Sequence, residues 1–202
     1  ELACDLFPGG KEVPFKGTSF KEKISLTQKW LNEGVQTIYE ATFSFDDILV
    51  MVDILHQNKN GSFEMYEVKS STWNESKSID DIYKFIHDIS IQYYVLTNLG
   101  YDVSDTFITL LNTDYVRGSE IDLNGLFSNV RVTNEVLELN HSIPKNIERF
   151  RETLKDLKNE PKIDIGYHCH NPYDCDAEDY CWREQRQIPE YSVFDIFPFN
   201  KT

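Results

Sequence analysis

Apolar and polar positions change their period several times along the chain, and each change marks an element. Between residues 18 and 32 apolar side chains fall at helical spacing, at Phe20, Ile24, Leu26, Trp30 and Leu31, and Gly34 follows as a C-cap. Three runs rich in β-branched and aromatic residues come next, at 37–45, 48–56 and 62–70. Asn58-Lys59-Asn60-Gly61 joins the second to the third, and its Asn-Gly pair is a hairpin signal, so the three predict an antiparallel meander. The helical period returns at 79–99, where Ile82, Phe85, Ile86, Ile89, Tyr93 and Leu96 form one stripe that Gly100 ends. Residues 106–111 predict a further strand, reached through that helix. Residues 134–157 predict helix on both sides of Pro144, and the chain from Pro161 onward is loop-rich. The expected fold class is α/β, in the order α-βββ-α-β, with a cysteine-rich C-terminal segment.

Composition adds bounds to this picture. A chain of 202 residues with 40% hydrophobic and 13% aromatic content can bury one main core. The expected organisation is a core over residues 1–130 and a helical, cysteine-rich segment over 131–202 packing on it. No apolar run approaches the roughly 20 residues of a membrane span, and no basic, apolar leader opens the chain. A cytoplasmic location without a membrane partner is therefore expected. Glu1 in place of Met, and the aromatic run from Tyr191 to Phe199, suggest a piece of a longer protein with a further C-terminal domain. The net charge of -14 counts against a nucleic-acid partner, because phosphates call for a basic surface. Divalent cations held by carboxylates would supply positive charge locally.

The chemistry concentrates in the second and third strands. Val50-Met51-Val52-Asp53-Ile54-Leu55 sets one carboxylate inside an apolar strand, and Tyr66-Glu67-Val68-Lys69 sets an acid and an amine two apart. A strand has a period of two, so Glu67 and Lys69 share a face. With Asp53 on the neighbouring strand, these groups would suit Mg2+ or Mn2+ and an attacking water. Asp53, Glu67 and the backbone carbonyl of Val68 would hold the metal, and Lys69 would orient the water. An alternating strand with its polar side toward solvent would present the same residues.

Four stretches in order, Ile38 to Phe43, Val52 to Leu55, Tyr66 to Thr72 and Asp88 to Leu96, resemble the RecB-like branch of the PD-(D/E)XK nucleases. That resemblance implies a restriction-endonuclease-like core and catalytic roles for Asp53, Glu67 and Lys69. In that branch the helix after the ExK strand carries a Gln, often as QxxxY, that contacts the substrate or the lysine. Gln92 takes this place, with Leu96 where the Tyr would stand, and Asp81, Asp88 and Gln92 fall on one helix face. An upstream Glu or His is a further metal ligand in the branch; Glu40 is the candidate here, and a strand glutamate paired with a lysine is the plainer reading. More closely, the chain resembles the N-terminal part of an uncharacterised bacterial family of unknown function. Leu6-Phe7-Pro8-Gly9-Gly10, Leu111 to Gly118 and Gly166 to Trp182 carry that likeness.

Cys4, Cys169, Cys175 and Cys181 form the second constellation. Disulfides are not needed by a chain of this size without a secretion signal. Cys169, Cys175 and Cys181, each five residues from the next, suit a [4Fe-4S] cluster or Zn2+. Several RecB-like nucleases clip their two ends with a cluster, and by that resemblance Cys4 is the candidate fourth ligand. His168 and His170 are substitutes if the metal is zinc, and buried unligated cysteines are the bland alternative. Two functions follow: a Mg2+-dependent nuclease acting on single- or double-stranded DNA, as an exonuclease or processing nuclease in repair, recombination or defence, or a nuclease-fold module that binds nucleic acid or a protein without cutting. RNA is compatible with either.

Overall fold

The computed structural model describes residues 2–196. The fold is mixed α/β, and among the described residues six strands form one sheet in sequence order: β1 (Lys11–Glu12), β2 (Thr37–Phe45), β3 (Ile48–Gln57), β4 (Phe63–Trp73), β5 (Val103–Asn112) and β6 (Phe127–Arg131). β2, β3 and β4 are the antiparallel meander, β5 runs parallel to β4, and β6 returns antiparallel. β1 and β6 are additions to the predicted order. The contacts divide the chain into two compact units, residues 2–148 and 149–196, so the first extends past the expected boundary at 130, which falls inside β6. Residues beyond 196 in the expected aromatic run lie outside the described residues.

Helix α1 (Phe20–Asn32) starts at Ser19, whose hydroxyl and backbone N–H both engage Glu22 in a capping box. It stops at Gly34: the N–H of Gly34 donates to the Leu31 carbonyl and that of Val35 to Trp30, with Gly34 at φ 72°. Helix α2 (Tyr83–Asn98) ends the same way, Gly100 donating to Thr97 and Tyr101 to Leu96. A 3-10 turn over Ile79–Ile82 replaces the start of the long helix expected from residue 79.

α2 is the parallel crossover between β4 and β5, and its stripe fills the core. Ile86, Ile89, Val95 and Leu96 are fully buried against Val52, Leu55, Met65 and Ile108. Each such side chain contributes roughly 1.5–3 kcal/mol of hydrophobic stabilisation. On α1 the expected stripe is displaced. Phe20 is exposed, whereas Lys23 and Thr27 are buried, because the Thr27 hydroxyl accepts the backbone N–H of Thr42 on β2. After the single turn α3 (Leu123–Leu126), the chain forms β6, then α4 (Thr133–Asn140) and α5 (Ile143–Lys155). Pro144 sits in the first turn of α5, where its missing N–H costs nothing.

Candidate active site

The site lies where two strands part. β3 pairs with β2 as far as Ile48, but with β4 only from Gln57↔Phe63 to Ile54↔Tyr66. The next position along this register sets Asp53 opposite Glu67, and there the β3/β4 ladder stops. In its place the Asp53 carboxylate accepts the backbone N–H of Val68 at 2.7 Å. A side chain thus bridges the two strands at the point where their main chains separate.

Beyond this fork β4 is irregular. Val68 pairs with Thr109 and Thr72 with Leu111, so β4 carries two extra residues in a bulge that contains Lys69. Lys69 Nζ contacts Glu67 Oε1 at 2.8 Å and Asp88 Oδ2 at 3.0 Å, and lies over the Phe85 ring. The other Glu67 oxygen accepts from Gln92 Nε2 at 2.7 Å. Asp88 and Gln92 are one helical turn apart on α2, so one face of the helix holds both members of the acid–amine pair. Gln92 is 8% exposed, and its Oε1 has no hydrogen-bond partner among the described residues.

Glu40, on β2, sits opposite Asp53 on β3, since Tyr39 pairs with Ile54 and Ala41 with Val52. Glu40, Asp53 and Glu67 therefore form one row over three strands. Glu40 has φ 56°, a conformation that a residue with a side chain holds at a cost of roughly 1–3 kcal/mol.

The charges in this row disturb one another. Burial pushes the Asp53 carboxyl up to about 7, and the negative charge of Glu67 adds to the shift, against the pull of the Val68 N–H. Burial also raises Glu40, helped by Glu12 and Glu67 and opposed by Lys23. For Lys69, burial works against the ammonium, but Glu67 and Asp88 outweigh it and hold the amine above its ordinary value. The donor set is all oxygen, it repels itself, and Gln92 Oε1 is an orphaned buried acceptor. A hard divalent cation would answer all three conditions, so the residues present fit one.

Sequence reasoning passed over Lys23. This lysine is 3% exposed, with its ammonium over the Phe15 ring and 3.9 Å from Met51 Sδ. Its place on the buried face of α1 was masked by Ile24 and Phe20 beside it. Asp88 does share the expected face with Gln92, but its contact with Lys69 was not anticipated. Asp81, expected on the same face, instead caps the backbone N–H of Ser78.

In the second unit all three cysteines are free thiols, Cys169 buried and Cys175 exposed. With Cys181 they line a cavity of about 800 Å3 that His168 and Glu160 also border. Burial raises the Cys181 thiol, and Cys175 and Cys169 add to that rise. Cys4, likewise a free thiol, belongs to the first unit. No helix among the described residues is long and apolar enough to cross a membrane. Compared with known proteins, the sequence matches no family model and no curated protein.

Proposed function

We propose that the chain is a metal-dependent nuclease with a restriction-endonuclease-like core, hydrolysing DNA phosphodiesters at the β3/β4 fork. The observation that carries this reading is the convergence of Asp53, Glu67 and Lys69 on one fork, tied by the Asp53–Val68 and Glu67–Lys69 contacts. Asp53 and Glu67 would hold Mg2+ or Mn2+, with the Val68 carbonyl and Glu40 as further oxygen donors. The metal would neutralise charge on the scissile phosphate and acidify a bound water.

The remaining work falls to side chains. An ammonium has three N–H donors, and Lys69 spends two on Glu67 and Asp88, leaving one for the attacking water or a phosphate oxygen. An ionised carboxylate offers about four acceptor positions, so Glu67 retains room for a metal beside its two protein contacts. Gln92 fixes the Glu67 rotamer. Cys169, Cys175 and Cys181 line one cavity and suit either a [4Fe-4S] cluster or Zn2+; a visible iron–sulfur absorbance band after anaerobic purification separates the two.

The net charge of -14 favours a second reading, a nuclease-fold module that binds a partner without cutting. One assay separates the two. Labelled single- and double-stranded DNA, with RNA in parallel, is incubated with Mg2+ or Mn2+ and either wild type or Lys69→Ala. Cleavage by wild type alone supports the enzyme. Equal background from both proteins removes it.

A further inference from the structure

Among the described residues, one group of His, Cys, Asp or Glu side chains brings three ligand atoms within 4.8 Å of one another: His170, Asp174 and Glu178. These residues are spaced four apart in the loop-rich segment of the second unit, and main-chain hydrogen bonds place them. His170 N donates to Tyr167, Cys175 N to Cys169 and Glu178 N to Cys175, closing successive turns of the loop. The His170 ring packs on Trp182 with ring centroids 5.9 Å apart.

Two carboxylates converge on one nitrogen. Asp174 Oδ1 is 3.3 Å and Glu178 Oε2 3.7 Å from His170 Nδ1. A charge-assisted N–H···O bond closes to about 2.7–2.9 Å, and one N–H serves one acceptor well, so an ion pair accounts poorly for this pattern. Ligands at about 2.0–2.2 Å from a tetrahedral cation stand about 3.3–3.6 Å from one another, close to the distances found. With the ring proton on Nε2, the set carries two negative charges, and a doubly charged cation would balance it.

We propose that His170 Nδ1, Asp174 and Glu178 form a site for a first-row divalent cation, zinc foremost, with a ligand set independent of the cysteine thiols. Three protein ligands leave a fourth position for water. His170 adjoins Cys169 and Asp174 adjoins Cys175 in sequence, so filling this site orders the loop that presents the thiols.

Cobalt tests the assignment, because its spectrum distinguishes nitrogen and oxygen ligands from sulfur. The full chain, reduced and carrying Asp53→Asn to weaken binding at the fork, is titrated with Co2+ while absorbance and Trp182 emission are followed. The expected result is one bound Co2+ with visible d–d bands, no near-ultraviolet sulfur-to-cobalt band, and quenched emission that Trp182→Phe removes. Binding should survive Cys175→Ser and weaken by about 10- to 100-fold in His170→Ala and in the shape-preserving Glu178→Gln. A sulfur-to-cobalt band at the first equivalent would place the metal on the thiols and overturn the proposal. Absence of bound Co2+, or affinity unchanged in both variants, would overturn it as well.

Discussion

The strand fork and the cysteine loop both gather metal-ligating side chains, yet they are held in opposite ways. At the fork, regular elements do the positioning: β3 and β4 set Asp53 against Glu67, and one face of α2 fixes Glu67 and Lys69. The candidate ligands of the second unit are spread over a 3-10 turn (Tyr167–Cys169), a loop and the short helical stretch that ends in Tyr180–Gln185, with Cys175 exposed and Asp174 78% exposed at its side chain. A site built on a framework is arranged before any ion arrives and stores the repulsion of its own charges. A site built on a loop has little to repel and gains its order from what it binds.

The sharpest way to break this contrast is to remove the amine. Lys69→Ala should lower metal-dependent DNA cleavage by about 100- to 1,000-fold, the range for losing one preorganised electrostatic group, while circular dichroism stays unchanged. Gln92→Leu leaves the Glu67 rotamer unsupported. It should raise the Mg2+ concentration for half-maximal cleavage by about 10- to 100-fold, with rate at saturating metal affected less. A change confined to substrate affinity would show that Gln92 contacts DNA instead.

The burial of Asp53, with the negative charge of Glu67 adding to it, predicts a pH effect. Because Asp53 titrates near 7 when folded and near 3.8 when unfolded, the folded, metal-free chain holds a proton between those values that the unfolded chain has lost. The stability this supplies is present at low pH and lost as pH rises through about 7. Asp53→Asn keeps an acceptor for the Val68 N–H and removes the charge. In EDTA it should exceed wild type by roughly 1–3 kcal/mol at pH 8 in urea unfolding, with the gap closing toward pH 4. A pH-independent gap would mean that Asp53 carries no such strain. The smallest effect is expected at Gly100, whose φ of 91° ends the helix carrying Asp88 and Gln92. Gly100→Ala should cost about 1 kcal/mol in thermal unfolding and leave cleavage at 25 °C unaltered, separating framework from chemistry.

Period made much of the framework legible. Strand alternation put Glu67 and Lys69 on one face, helical spacing found the core stripe of α2, and Gly34 and Gly100 marked both helix ends. β1 was invisible because two residues carry no period, and Phe127-Ser128-Asn129-Val130-Arg131 of β6 lacks a clean alternation. The positive φ of Glu40 could not be read from a residue type that avoids it, and the burial of Lys23 runs against its chemistry. His170, Asp174 and Glu178 recur every four residues, but no single helix spans them, so that spacing did not announce a shared face.

The central claim is that Asp53 and Glu67 jointly hold a divalent cation at the fork. Electron paramagnetic resonance of Mn2+ titrated into the chain tests it without any substrate. Wild type and Lys69→Ala should each bind a Mn2+ that Asp53→Asn and Glu67→Gln both fail to hold; identical Mn2+ binding in wild type and the two carboxylate variants would contradict it.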